Sequence, residues 1–183
     1  ALVNLPCLTI QGDLHVCRLR FKAPLPCRAF QSKTGPMSKP IYVLGGPNLN
    51  LLGTREPEIY GYETLEDIHT RLRSLAGGVP LEARQTNHEG ELVDWVQEAS
   101  RDGSVLILNA AAFTHTSVAL HDALRACKVP VIEVHLSNPA AREAFRQVNY
   151  VAPVAKATIA GLGAYGYELA LLAAKSLTGQ GDI

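Results

Sequence analysis

Short apolar runs rich in β-branched residues alternate with segments of helical periodicity between residues 41 and 177, and this alternation restricts the fold more than any other feature. Residues 105–108 are continuously apolar, which is typical of a strand covered on both faces of a parallel sheet. Residues 41–44 form another short β-prone run, and residues 131–134, which include Glu133, are predicted to be a strand as well. The more polar runs 81–86 and 158–160 are also predicted to be strands.

The segments between these strands carry the start and stop signals of helices. Thr64 and Asp67 resemble a capping box, and the helix after them is predicted to end at Gly77-Gly78. Ser137-Asn138-Pro139 predicts another helix start, because proline is favoured at the first helical position. Further helices are predicted over 92–102, 118–127 and 165–177. Five strand–helix alternations predict an α/β fold, a single flavodoxin-like domain with a doubly wound five-stranded parallel sheet.

The first 36 residues differ from the rest of the chain. They hold three of the four cysteines, and five basic side chains against one acidic, without a sustained helical or strand period. Met37 is the only methionine and looks like the natural start. We interpret residues 1–36 as upstream translated sequence or a cloning artefact, with an organelle transit segment as the alternative, and residues 37–183 as the catalytic domain.

Composition excludes several classes of function. The chain has 17 basic and 17 acidic side chains, which gives no electrostatic case for nucleic acid or an anionic membrane as partner. No apolar run approaches the ~18 residues that would span a bilayer. Residues 37–183 have 12 basic and 16 acidic groups and one cysteine, Cys127, so we expect a cytoplasmic domain without a disulfide framework.

The unusual polar residues follow the predicted strands. In a doubly wound sheet, ligands bind beyond the carboxyl ends of the strands, near the point where strand order reverses. These positions follow strands one, three and four, and they are Asn48, Arg55, Tyr60, Asn109, His115, Glu133, His135 and Ser137.

The loop from residue 46 to residue 61, GPNLNLLGTREPEIYG, is long enough to be a lid or a binding loop. It contains neither of the usual glycine-rich phosphate motifs. Tyr60 as a base would need its pKa lowered from ~10 toward 7, for which one arginine is too little. Arg55 would therefore need the help of Arg142. The alternative is structural: Arg55 pairs with a carboxylate and Tyr60 packs at the rim.

Glu133 and His135 lie two residues apart at a strand end, so both side chains point to one face. A glutamate that accepts a hydrogen bond from one ring nitrogen stabilises the protonated imidazole, which suits a general acid. A buried pair with only a structural task is the alternative. A zinc site of His115, His121 and His135 is a third interpretation, although neither HExxH nor paired cysteine spacing supports it.

The predicted helix after strand four offers an anion site. Backbone N–H groups at Ser137 and Asn138 would bind a carboxylate or phosphate, and Arg146, two turns into the helix, could add charge or lie on the surface. Asn109 and His115 are suited to hydroxyl groups, although Asn109 could instead form a turn.

Four motifs together resemble the type II 3-dehydroquinate dehydratases, over about residues 40–177. They are GPNLNLLGTREPEIYG (46–61), RQTNHEGELVDWVQEA (84–99), NAAAFTHTS (109–117) and IEVHLSN (132–138). The resemblance implies a flavodoxin-like hydro-lyase without metal or organic cofactor, in a homododecamer of four trimers. It also implies anti elimination of water from 3-dehydroquinate through an enolate, in the shikimate pathway that leads to chorismate and the aromatic amino acids.

The resemblance also implies roles for individual residues. Tyr60 would take the C2 proton, with Arg55 stabilising its charge, and His135 would protonate the departing C1 hydroxyl while Glu133 orients it. Asn48 would hold the water that stabilises the enolate. The expected substrate-binding residues are Asn109, His115, Leu136, Ser137, Arg142, Arg146 and Asp122, the last contributed across a subunit interface. Gly45 and Ala110-Ala111 depart from the family pattern.

Two other classes of function fit the same pattern. A flavodoxin-like signalling or ligand-binding module would catalyse nothing, and a phospho-receiver would need acidic residues after strand one, where Asn48 and Arg55 stand. An inactive relative retained for assembly is the second alternative.

Overall fold

The computed structural model describes residues 38–55 and 61–179. The interpretation of residues 1–36, the proposed start at Met37 and the position of Tyr60 lie outside the described residues. The strands are β1 (Ile41–Gly45), β2 (Leu81–Gln85), β3 (Val105–Asn109), β4 (Val131–His135) and β5 (Ala157–Ala160); the helices are α1 (Leu65–Ala76), α2 (Glu89–Asp102), α3 (Val118–Arg125) and α4 (Tyr165–Leu177).

The five strands form one parallel sheet in the order β2-β1-β3-β4-β5. This is the flavodoxin-like order, and it confirms the predicted fold class. Strand order reverses between β1 and β3, where Gly45 pairs with Asn109 at the last register position. The carboxyl ends of β1, β3 and β4 therefore meet at one edge, as the sequence predicted for the site.

Helices cover both faces of the sheet because each central strand is apolar on both sides. On one face, Ile107 and Val134 pack with Leu72 of α1 and Leu171 of α4. On the other face, Leu108 packs with residues of α2 and α3. All five positions of β1, β3 and β4 are buried. Burial of apolar surface stabilises a fold by roughly 25 cal/mol per Å². The buried strands therefore hold the loops at their carboxyl ends in fixed positions.

The capping box predicted at Thr64 and Asp67 is present at the start of α1. The Thr64 hydroxyl accepts a hydrogen bond from the Asp67 N–H, and the Asp67 carboxylate accepts one from the Thr64 N–H. Ser117 caps α3 by accepting from the Leu120 N–H at 2.8 Å. None of the helices in the described part of the chain has the length and apolar character to cross a membrane.

The prediction of an α-helix after β4 is wrong. Asn138 and Pro139 do begin a helical turn, but it is a three-residue 3₁₀ turn, followed by two more at Ala144–Gln147 and Ala152–Val154. The backbone of Arg142 is extended, which ends the first turn. A tertiary hydrogen bond from the Tyr150 N–H to the Thr114 carbonyl helps to fix the irregular path.

This correction removes one of the predicted features of the site. A three-residue turn has no aligned stack of peptide dipoles, so the helix-terminus anion site proposed at Ser137 and Asn138 does not exist in this form. Arg146 lies in a 3₁₀ turn rather than two turns into an α-helix.

Candidate active site

A cavity of about 90 Å³ lies at the carboxyl ends of β1, β3 and β4. It is lined by side chains from the loops after all three strands, as expected for a ligand site in a doubly wound sheet. Nine of the predicted site residues line it: Asn48, Arg55, Asn109, His115, His135, Leu136, Ser137, Arg142 and Arg146.

Asn48 has a left-handed backbone, with φ 66°. Asparagine tolerates this conformation better than most residues do. Its N–H donates to Asn87 Oδ1 at 2.9 Å, and Gln85 Nε2 donates to the same oxygen and to the Gly46 carbonyl. The loop after β2 thus holds the start of the loop after β1.

The loops after β1 and β3 approach each other closely. The Gly46 N–H donates to the Asn109 carbonyl at 2.8 Å, and a Cβ at position 46 would come within 2.3 Å of the Ala110 carbonyl oxygen. Only glycine allows this approach without displacing backbone. Asn48 and Asn109 are therefore held at a fixed separation across the point where strand order reverses.

Asn109 is oriented at both ends of its amide. Nδ2 donates to the Tyr167 hydroxyl at 3.0 Å, and Oδ1 accepts from the Ala111 N–H at 3.2 Å. Burial raises the pKa of Tyr167 well above its ordinary value, so this hydroxyl is neutral. The position of Tyr167 on α4 was not predicted, because 58 residues separate it from Asn109.

The backbone of Ala111, one of the residues that the resemblance marks as a departure, is strained. Its φ is 50°, a conformation that costs an alanine about 1–2 kcal/mol. Ala111→Gly should therefore raise the free energy of unfolding by about 0.5–1 kcal/mol, since relief of strain exceeds the extra entropy of the unfolded chain. Urea denaturation at a fixed protein concentration measures this change.

Ala112→Gly is the matched control for this prediction. Ala112 is exposed in the same 3₁₀ turn and does not have a positive φ. Glycine there should destabilise by about 0.5–1 kcal/mol. Loss of stability in both variants would show that Ala111 is not strained.

Glu133 and His135 form a buried pair at the end of β4. His135 Nε2 lies 2.8 Å from Glu133 Oε1. The exposed fraction is 6% for His135 and 0% for Glu133. An ionised carboxylate only accepts hydrogen bonds, so Nε2 carries the proton and Nδ1 is left for chemistry. His135 lines the cavity, while Glu133 lies beneath it.

Three donors surround the Glu133 carboxylate. Besides His135, Asn149 Nδ2 donates to Oε1 at 2.9 Å and Thr158 Oγ1 donates to Oε2 at 2.8 Å. Burial, the largest single influence, pushes the pKa of Glu133 up, but the hydrogen bonds from His135, Asn149 and Thr158 together hold it below its ordinary value. The carboxylate therefore stays charged beneath the imidazole.

His115 and His121, the other two residues of the hypothetical zinc site, each bind a different backbone carbonyl group. His115 Nδ1 lies 2.6 Å from the Val148 carbonyl and His121 Nδ1 lies 2.7 Å from the Tyr150 carbonyl. Because a carbonyl only accepts, both Nδ1 atoms carry protons, and Nε2 of His115 is left for a ligand. Across residues 38–55 and 61–179, no three His, Cys, Asp or Glu side chains are grouped so as to hold a metal ion.

Two arginines reach the cavity from the irregular segment after β4. Glu143 Oε2 lies 2.7 Å from Arg146 Nε and 3.3 Å from Arg142 Nε. The hydrogen bond from Arg146, above all, lowers the pKa of Glu143 to about 2. Arg142 also lies 3.3 Å from the Ser137 hydroxyl, which it can donate to. The cavity thus has a cationic side even though the predicted helix is absent.

Asp122 is the described site residue that stands apart. It is exposed on α3 and does not line the cavity of its own chain. Its role across a subunit interface therefore stays a prediction, as does the role of Tyr60. Sequence reasoning missed Asn149, Thr158 and Glu143, because none of them lies in a motif and each acts through a neighbour.

Comparison with known proteins gives one consistent family. The family model described as Dehydroquinase class II matches residues 39–175. The chain is 80% identical over 144 residues to the 3-dehydroquinate dehydratase of Hyphomonas neptunium, covering 79% of this chain and 98% of the relative. It is 57% identical over 145 residues to the 3-dehydroquinate dehydratase of Phenylobacterium zucineum, covering 77% and 99%.

Solved structures agree with the sequence relatives. The type II dehydroquinase from Propionibacterium acnes is 47% identical, with a TM-score of 0.71 over 74% of this chain and 94% of that chain. The type II dehydroquinase from Butyrivibrio crossotus is 37% identical, with a TM-score of 0.73 over 75% and 98%. The chain therefore belongs to the class II dehydroquinase family, hydro-lyases that dehydrate 3-dehydroquinate.

Proposed function

We propose that this chain converts 3-dehydroquinate to 3-dehydroshikimate by anti elimination of water, with Tyr60 as base and His135 as acid. The observation that supports this most is the buried Glu133–His135 pair, whose ring lines the cavity with Nδ1 left for substrate. A buried carboxylate that holds an imidazole in one tautomer suits proton delivery to a leaving hydroxyl.

The first step is removal of the C2 proton. Tyr60 takes this proton as tyrosinate, and the positive charges of Arg55 and Arg142 stabilise the phenolate. The electrons of the broken C–H bond form an enolate with the C3 carbonyl. Because a ketone α-proton is far less acidic than a phenol, donors placed at the enolate oxygen lower the barrier more than a stronger base would.

The enolate is stabilised through Asn48. The left-handed backbone of Asn48 and the hydrogen bond from its backbone N–H to Asn87 fix the main chain that carries its side-chain amide at the cavity wall. We propose that this amide holds a water molecule against the enolate oxygen. Preorganised donors of this kind contribute several kcal/mol in measured cases, on the order of 3.

The second step is loss of the C1 hydroxyl. Nδ1 of protonated His135 gives its proton to that oxygen as the C1–O bond breaks, and the enolate electrons form the new double bond. Glu133 remains ionised and stabilises the imidazolium. Water leaves as the C3 carbonyl re-forms and the C1–C2 double bond appears. Tyr60 is then protonated and His135 neutral, and proton exchange with solvent returns Tyr60 to tyrosinate and His135 to imidazolium for the next turnover.

The remaining residues bind the substrate. Arg146, the Ser137 hydroxyl and the backbone of Leu136 and Ser137 are proposed to hold the substrate carboxylate. Asn109 and the Nε2 atom of His115 are suited to the ring hydroxyls. Asp122 is proposed to complete the site of a neighbouring subunit.

Purified protein incubated with 3-dehydroquinate tests the proposed function. We expect the absorbance of the conjugated enone to grow at a rate proportional to protein concentration and unchanged after chelator treatment. Binding of 3-dehydroquinate without growth of the enone signal would favour an inactive relative, and absence of both would refute the proposal.

The assembly and location are also proposed from the family resemblance. Twelve chains of 19.7 kDa would give an assembly of about 236 kDa with tetrahedral symmetry. Native mass spectrometry should find this mass. A lone monomer at working concentration would contradict the assigned role of Asp122. The charge balance and the single cysteine of residues 37–183 support a cytoplasmic location.

Residues 1–36 are proposed to be dispensable. The family match begins at residue 39, after this segment. In a chain beginning at Met37, kcat per chain and KM should stay within about twofold of the values for the full protein. The shortened chain should also form the same assembly, since removal of a segment outside a domain leaves the core of that domain intact. Collapse of activity or assembly would place the segment within the fold.

A further inference from the structure

The segment from Val148 to Ala152 contacts His115 and the Glu133 carboxylate that holds His135. The Val148 carbonyl accepts from His115 Nδ1 at 2.6 Å. The next side chain, Asn149, donates to Glu133 Oε1 at 2.9 Å, and the same oxygen accepts from His135 Nε2. One short segment therefore touches the hydroxyl-binding histidine directly and the proton-donating histidine through a single carboxylate.

Asn149 uses both ends of its amide. While Nδ2 binds Glu133, Oδ1 accepts from the N–H groups of Val151 and Ala152 at 2.7 and 2.8 Å. The side chain thus ties the Glu133 carboxylate to the backbone of the following 3₁₀ turn. A hydrogen bond to a buried charged group contributes more to stability than one between two neutral groups does.

We propose that Asn149 is a positioning residue for the dehydration, which sets the orientation and the charge state of Glu133 and thereby presents Nδ1 of His135 to the substrate. Asn149 touches neither the substrate nor the reacting atoms. The inference rests on the proposed function, because Glu133, the group that Asn149 contacts, orients the proposed acid His135. It adds to the reaction a residue 16 positions away from Glu133 in the chain.

The charge state of Glu133 is open to a selective test because few groups face it. Within the described ranges, its side-chain partners are His135 on β4, Thr158 on β5 and Asn149. Of these three side chains, only His135 is ionisable. Removal of a donor disfavours the carboxylate, so Glu133 should bind its proton at a higher pH. Activity should then fail at a higher pH as the solution is acidified.

Asn149→Asp separates the two tasks of the side chain. Aspartate has nearly the same shape and keeps an oxygen acceptor for the Val151 and Ala152 N–H groups, but it replaces the donor to Glu133 with an acceptor. Thr158→Val removes the other neutral donor from the opposite oxygen and leaves the 148–152 segment untouched. Both variants change the surroundings of Glu133 without deleting the turn contacts that a purely structural role requires.

We expect Asn149→Asp to lower kcat at least tenfold with KM within about threefold, and to move the acidic limb of the kcat profile up by at least one pH unit. Thr158→Val should move the limb in the same direction by a smaller amount. Profiles that coincide with wild type in both variants, alongside a loss of thermal stability in Asn149→Ala, would overturn the proposal and leave Asn149 a turn residue.

A second measurement does not depend on turnover. Ligand-free protein is labelled with ¹³C at its glutamate carboxyl groups and studied by NMR. The signal of Glu133 is identified as the one that is absent from the spectrum of Glu133→Gln. It should titrate at higher pH in Asn149→Asp and Thr158→Val than in wild type, and an unchanged titration would overturn the proposal. Wild type that fails to dehydrate 3-dehydroquinate would instead refute the proposed function, whatever the carboxyl titration gives.

Discussion

Tyr60→Phe is expected to lower kcat about a thousandfold, which corresponds to about 4 kcal/mol of lost transition-state stabilisation. The ring remains and only the oxygen that takes the C2 proton is removed. Binding should therefore change little, with the Kd of 3-dehydroshikimate within about threefold of wild type. Stopped-flow turnover and isothermal titration measure the two quantities.

Tyr62→Phe is the matched control for this prediction. Tyr62 is two residues further along the chain, its exposed fraction is 82%, and it does not line the cavity. Its kcat should equal that of wild type. Near-normal turnover in Tyr60→Phe would remove Tyr60 from the role of base, and equal losses in both variants would indicate damage to the loop rather than lost chemistry.

The second large effect is expected at His135. His135→Gln should lower kcat by about 100- to 10,000-fold, because an amide cannot deliver a proton to the C1 hydroxyl at neutral pH. Glutamine offers an N–H that can still reach the buried carboxylate of Glu133. His135→Ala removes this donor as well, so it should lose both turnover and stability, since a buried charge without its partner costs about 3–5 kcal/mol.

Comparison of the two His135 variants separates catalysis from folding. Turnover should be nearly absent in both, while the midpoint of thermal unfolding should fall mainly in His135→Ala. His88→Ala is the control: this histidine is exposed at the start of α2 and makes no side-chain cap hydrogen bond. An unchanged rate in His135→Gln would mean that another group protonates the leaving hydroxyl.

The parts of the fold that the sequence predicted are those fixed by burial. The run at 105–108 is apolar because β3 is central and covered on both faces, and it lies in the strand as expected. Glu133 and His135 share a face because side chains alternate along β4. These properties belong to a few consecutive residues, so the sequence is enough to infer them.

The segment after β4 could not be predicted from local signals. Asn138 and Pro139 predict a helix start, but an extended Arg142 and a hydrogen bond between Tyr150 and Thr114 override the helical preference. Tyr167 and Asn149 support the site through contacts with residues 58 and 16 positions away. Such contacts depend on the finished sheet and leave no periodic trace in the sequence.

The strain at Ala111 has a different origin. The family resemblance marks the Ala110-Ala111 pair as a departure, but only the backbone geometry, with φ 50°, indicates its cost. The Oδ1 atom of Asn109 accepts from the N–H of this residue, so the strained turn also holds a proposed substrate-binding amide in place.

The most direct test of the mechanism is the ionisation of the Tyr60 hydroxyl in the loaded enzyme. Wild type and Tyr60→Phe, each saturated with 3-dehydroshikimate at neutral pH, are compared by near-ultraviolet difference spectroscopy. The mechanism predicts a tyrosinate band in wild type that Tyr60→Phe lacks, equivalent to a substantial fraction of one tyrosinate per chain. Identical spectra that contain no tyrosinate would contradict it.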